Sequence, residues 1–319
     1  MSKKNNGEKF KSKIGGQAVI EGVMMRGIDK AAMACRLPNG KIDLEEWEVK
    51  GGERSPWYRK VPFVRGIFMF VSSMIDGYKC MTKSAEKQME DGEEEELSKF
   101  EQWLTDKFGD KIMTFVTVFS VILGLALAVL LFIVLPSLVS KGINHFVELN
   151  SFVKNCIEGV VKIGIFLVYT SLTALMSDIR KTYEYHGAEH KTIACYEHEE
   201  ELTVENVKKH CRFHPRCGTS FIFLVLFISI FVSTIFRLSW DNLALRYVCK
   251  IAIIPLVTGI AYELIRLAGK YDNIVTRIIS APGLWIQRIT TREPNAEEIE
   301  CAIAALKVVI PDNKEDDRW

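Results

Sequence analysis

Residues 112–135 read IMTFVTVFSVILGLALAVLLFIVL, and no side chain in the run is charged. A helix of that length crosses the roughly 30 Å hydrocarbon core of a bilayer. A helix is also the form in which an open chain satisfies its own backbone hydrogen bonds in lipid. Three more apolar runs follow. Residues 157–176 carry Lys162 near one end, where its stem can snorkel toward the interface. Residues 218–236 are uncharged, and residues 247–265 hold Lys250 near the start and Glu263 near the end. The expected fold is mainly α: a polytopic membrane protein with about four transmembrane helices.

The flanking charges give an orientation. The opening MSKKNNGEKFKSK lacks the apolar centre of a signal peptide. The connections at 137–156 and 237–250 are poor in Lys and Arg. The one between the second and third spans holds Arg180, Lys181, Lys191, Lys208, Lys209, Arg212 and Arg216. By the positive-inside rule both termini and this middle segment are cytoplasmic, in a multi-pass protein of the cell's inner membrane. Eight cysteines facing a reducing compartment argue against a disulfide framework. With 41 Lys and Arg against 40 Asp and Glu, no basic excess suggests a nucleic-acid partner. Membrane lipid is the expected surrounding, with an unknown substrate or membrane-protein partner.

Outside the spans the chain divides by composition. Residues 1–13 read as a disordered terminus. Residues 14–60 read as a small β-rich cytoplasmic unit, where GGQAVIEGVMMRG precedes two strand-like runs joined by Pro38-Asn39-Gly40. Residues 61–90 suit an amphipathic interfacial helix interrupted by Arg65 and Asp76. Residues 91–111 form an acidic linker and pre-membrane segment with Trp103 and Phe108. The bundle occupies 112–266, with a cytoplasmic loop at 178–217. Residues 267–319 form C-terminal interfacial and amphipathic helices, the last carrying Ile299, Ile303 and Leu306 at helical spacing behind Glu293-Pro294.

The chemistry-bearing stretch is Tyr183–Glu200, YEYHGAEHKTIACYEHEE. If the second span runs on as a helix, His186 and His190 lie about 40° apart in projection, with Glu189 about 60° to the other side of His186. His-x-x-Glu-His is the inverted zinc-peptidase pattern, in which two histidines bind the ion and the glutamate is general base. The pattern is short enough to arise by chance, and Gly187 lowers helix propensity inside it. Downstream, HCRFHPRCGTSF brings His214 and Cys217 as further candidate ligands, with His210 and Cys211 more readily ordinary polar residues. Such donors suit zinc before calcium or magnesium. Alternatively Cys217 packs and His214 caps the next helix. Glu263 is either a further ligand or half of a salt bridge to Arg266, Arg216 or another interfacial arginine. Asp178 could orient a ligating histidine. His145 and His198 read as ordinary polar residues.

Together GGQAVIEGVMMRG, YEYHGAEHKTIACYE, HPRCGTSF and TTREP resemble the YqhQ-like family, a bacterial family of unknown function described as predicted metal-dependent membrane enzymes. The resemblance runs from about residue 14 to 310. It implies a multi-pass membrane protein and a divalent metal at His186, Glu189, His190, His214 and Cys217, with Glu263 and residues 15–26 less directly. It implies no substrate. The expected function is a zinc-dependent membrane hydrolase or peptidase with Glu189 as base and Arg26 or Arg216 orienting an anionic substrate. A non-catalytic scaffold with a closed structural zinc is the alternative, and a transporter ranks behind both, since no paired broken helices mark a transport site.

Overall fold

The computed structural model describes residues 10–49, 56–89, 111–236 and 243–319. The acidic stretch 91–96, Trp103 and Phe108 lie outside them, as do residues 1–9. The architecture is mainly α with a small antiparallel sheet, and four helices are long and apolar enough to cross a membrane: Phe115–Phe146, Ser151–Thr173, Gly218–Ile235 and Leu245–Lys270. Two compact units separate, one of Met1–Gln88, Leu167–Ile228 and Ile254–Trp319, the other of Met89–Phe166 and Ser229–Ile253.

The first unit is built on a meander of four strands, β1 (Gly15–Val19), β2 (Gly22–Arg26), β3 (Lys30–Arg36) and β4 (Ile42–Glu48), paired in sequence order. The Pro-Asn-Gly segment makes the β3–β4 turn, with Gly40 at φ +82°, a conformation glycine adopts without steric cost. Alternation along the strands sorts side chains onto two faces. Val23, Met25, Ala32 and Ala34 face one core, with Tyr185, Ile193, Ile299 and Leu306, while Val19, Met24, Met33 and Cys35 face another, closed by Cys80. Cys80 belongs to α1 (Val64–Glu86), which also packs on a later helix, α9 (Ile254–Lys270), through Gly66 and Gly259.

This unit also holds α5 (Ser177–Glu197), α6 (Val204–Lys209), most of α7 (Gly218–Ile235), α10 (Ile274–Thr290) and α11 (Ala296–Val309). The start of α11 is a capping box. Asn295 Oδ1 accepts from the Glu298 amide at 2.9 Å, and the Asn295 amide donates to Glu298 Oε2 at 2.8 Å. Ile299, Ile303 and Leu306 are buried as their spacing predicts, in a helix packed against β2, β3 and α5. The small residues Ala302 and Ala305 meeting Ala32 and Ala34 allow that approach. Residues 10–13, expected to be disordered, are held down: Ser12 Oγ donates to Asp317 at 2.7 Å, and the Phe10 ring packs edge-on against Tyr196 at 5.4 Å. The partners of both lie far along the chain.

In the second unit, α2 (Lys111–Val129) passes through a π-turn at Leu130–Val134 into α3 (Leu135–Phe146). Pro136 explains the turn, because its ring clashes with the carbonyl one turn back and it lacks an N–H. Only 6% of the most apolar window of this helix is buried, as expected of a face turned to lipid. A charge inside a span is costly in hydrocarbon unless it finds a partner. Glu158 on α4 (Ser151–Thr173) takes both Arg246 and Lys250 of α8 (Leu243–Ala252), and each cation also donates to Ser137 at 3.0 Å. Glu158→Gln removes the carboxylate that both share. It is expected to destabilise the protein by about 3–5 kcal/mol, read as a fall in the unfolding midpoint of detergent-purified protein.

Candidate metal centre

The helix carrying His186, Glu189 and His190 is not an extension of the second span. α4 ends at Thr173, three non-helical residues intervene, and α5 starts afresh with Met176 in extended conformation as its N-cap. The segment 178–217, read from sequence as a loop, is therefore largely helical, as α5 and α6. α5 is polar in composition yet buried from Tyr185 to Ile193 apart from the half-buried His186, because its neighbours surround it. Tyr185, Ala188 and Ile193 join the core under the sheet. His186, Glu189, His190 and Ile193 line a cavity of about 90 Å³ with Ile14, Gly15, Gly16, His214, Arg216, Cys217 and Gly218.

Two backbone carbonyls set the rings. His186 Nδ1 lies 2.9 Å from the Thr290 carbonyl, and His190 Nδ1 lies 2.6 Å from that of Arg212. A carbonyl only accepts, so each Nδ1 carries a proton and Nε2 is the ring nitrogen left to act as a ligand. Metal-binding histidines are oriented in this way. The Thr290 carbonyl reaches His186 because the 291–294 segment lies directly on α5. There the Arg292 amide donates to the Tyr183 carbonyl at 2.8 Å, and a Cβ on Gly187 would collide with the Arg292 carbonyl. Gly187, which weakens the helix locally, is thus the gap through which TTREP passes.

Both histidines lie beside Cys217. Its Sγ is 3.2 Å from His186 Nε2, and one ligand atom from each of His186, His190 and Cys217 lies within 4.8 Å of the others. Zinc bonds of about 2.0–2.1 Å to nitrogen and 2.3 Å to sulfur give ligand-to-ligand edges of about 3.5 Å in a tetrahedron, so the trio has the right scale for one ion. Burial pushes the Cys217 thiol up, but His186 and His190 beside it outweigh that and hold it well below the usual thiol range. Burial likewise disfavours charge on His186, yet the facing Cys217 sulfur raises it to about 9. Glu189 is raised by burial, against the pull of both histidines. The Gly16 amide donates to its carboxylate, while Oε2 is buried without a hydrogen-bond partner. A Cβ on Gly16 would sit 2.9 Å from the Glu189 carboxyl carbon, which explains a glycine there.

The other candidates divide. His214 lines the cavity, its ring 5.6 Å from that of His190, but its Nε2 faces Arg216 at 3.2 Å and Glu197 at 3.9 Å. Burial and the Arg216 guanidinium lower it to about 4. Gln287 grips its backbone, accepting from the His214 amide at 2.8 Å and donating to its carbonyl at 2.7 Å. Glu263 is engaged elsewhere. Arg65 donates to both its oxygens, through Nε at 2.7 Å, and the Phe63 amide adds a third bond at 3.1 Å. Asp178 is exposed and accepts from Ser177, so the Thr290 carbonyl orients His186 in its place. Arg26 is paired with Asp76 at 2.6 Å, and Arg216 with Glu197 and the Ser12 carbonyl. Glu197, Gln287, Thr290 and the Arg212 carbonyl escaped the sequence reading, although TTREP marked the place of Thr290.

Gly187→Ala tests the close crossing. In an open helix this change gains about 1 kcal/mol. Here it is expected to lower stability by about 1–3 kcal/mol and to weaken metal binding. Gly142→Ala, at a position where a Cβ meets nothing within 4 Å, should leave both unchanged or slightly improved.

Comparison with known proteins agrees with the motifs. The uncharacterized protein YqhQ of Bacillus subtilis (strain 168) is 33% identical over 297 residues, which cover 93% of this chain and 92% of its own. No solved structure matches the chain. A family model described as protein of unknown function, DUF1385, matches residues 61–312, and the chain belongs to that family.

Proposed function

We propose that this protein is a zinc-dependent integral membrane enzyme, a hydrolase or peptidase, working at the cytoplasmic face. The observation that carries the reading is the convergence of one ring nitrogen each of His186 and His190 with the Cys217 sulfur, in a cavity also lined by Glu189, whose Oε2 is buried with no partner. Two imidazoles and a thiolate form a three-residue donor set of the kind catalytic zinc sites use, with the fourth position left to water or substrate. An ion bound there supplies Lewis-acid polarisation and a water of lowered pKa. Glu189 takes up a proton at Oε2 and returns it to the leaving group, its other oxygen held by the Gly16 amide. Ile14 and Ile193 limit water in the cavity. The Lys and Arg residues between the second and third spans support a cytoplasmic placement. A closed structural site would need His214 as fourth ligand, and its engagement with Arg216 and Glu197 favours the open one.

Elemental analysis of protein purified without chelators tests the reading. Wild type is expected to hold zinc, His186→Ala to lose its share of it, and Glu189→Gln to retain it. In any hydrolytic assay that responds to wild type, Glu189→Gln should be slower by about 100-fold or more. Metal-free wild type, or full activity in Glu189→Gln, would overturn the proposal.

A further inference from the structure

A second group of metal-ligating side chains lies at the other end of α5. One ligand atom each of Cys195, Glu200 and His210 falls within 4.8 Å of the others. The backbone creates the meeting. α5 closes in a Schellman motif, in which the Glu200 amide donates to the Cys195 carbonyl at 3.3 Å and the Glu199 amide to the Tyr196 carbonyl at 3.0 Å. Such a motif usually has glycine in its left-handed position and an apolar contact between the two residues that the longer bond joins. Here Glu199 takes the left-handed conformation at φ +59°, and a buried thiol stands opposite a carboxylate where the apolar contact belongs.

The chain then turns back. Thr203 caps α6, accepting from the Asn206 amide at 3.3 Å, and α6 ends on His210. His210 Nε2 arrives 3.2 Å from Glu200 Oε2. His198 stands beside it, ring centroids 4.8 Å apart. Its Nδ1 donates to the Ala194 carbonyl at 2.7 Å, which leaves Nε2 as the other ring nitrogen, as in the histidines of the first site.

We propose that Cys195, Glu200 and His210 form a second, structural zinc site that clips α6 to the C-terminal end of α5. A thiolate, an imidazole and a carboxylate suit zinc before calcium or magnesium. A His210–Glu200 ion pair alone would need neither a thiol within reach nor a left-handed glutamate. By pinning the end of α5, the site also steadies Glu197, two residues past Cys195, which pairs with the Arg216 that faces His214.

Zinc stoichiometry of full-length protein in detergent is the test, with Co²⁺ substitution to report thiolate coordination. Wild type is expected to hold about one zinc per chain beyond that lost in His186→Ala. Cys195→Ser and His210→Ala should each lose about one equivalent. Glu200→Gln, at a half-exposed position that cannot unfold the chain, should weaken that equivalent about tenfold or more. Glu199→Gly keeps every ligand and should keep the metal. Zinc retained in His186→Ala but lost in Cys195→Ser supports this site even if the first holds none. Overturning results are wild-type zinc unchanged by Cys195→Ser, His210→Ala and Glu200→Gln, or wild-type protein holding no zinc.

Discussion

The constraint on which the site depends is the close crossing of α5 by the segment after α10, over a glycine. With no Cβ at Gly187, the 291–294 segment lies against the helix and the Thr290 carbonyl accepts a hydrogen bond from His186 Nδ1. The Arg212 carbonyl does the same for His190. Both rings are thereby held in orientation beside Cys217, at a cost in helix propensity of about 1 kcal/mol for the glycine. Local preference is given up where the site is built, as often happens at functional positions. The Gly16 amide adds the same kind of control from the sheet, holding one Glu189 oxygen and leaving the other unpartnered in the cavity.

This arrangement explains why a polar helix lies in the core. α5 presents Tyr185, Ala188 and Ile193 to the packing beneath the sheet and its histidines to the cavity. The C-terminal helix α11 completes the enclosure by packing on both the sheet and α5. The sheet, α5 and α11 therefore belong to one core, although a hundred residues separate α5 from α11. Arg216, paired with Glu197 and the Ser12 carbonyl, ties the cavity's edge to the N-terminal segment.

Much of this was legible in the residues. Uncharged runs identify membrane helices because lipid tolerates little else, strand-like runs around Pro38-Asn39-Gly40 marked the sheet, and helical spacing marked α11. The pairing of His186 with His190 followed from helix geometry, and the reach of Cys217 to them was among the alternatives. The break between α4 and α5 was not legible, since Ala174-Leu175-Met176 carries neither proline nor glycine. Carbonyl anchors such as Thr290 and Arg212 have no sequence signature, because every residue has a carbonyl. Glu263 was a reasonable ligand candidate by depth, but its partner Arg65 lies on a helix 198 positions earlier, where composition alone does not direct the eye.

The most direct test of a zinc site at His186, His190 and Cys217 is X-ray absorption at the zinc edge, on Cys195→Ser protein so that any second site is silent. The expected first shell has one sulfur at about 2.3 Å and nitrogen or oxygen at about 2.0–2.1 Å, with the outer-shell signature of two imidazoles. A shell without sulfur, or without imidazole, would contradict it.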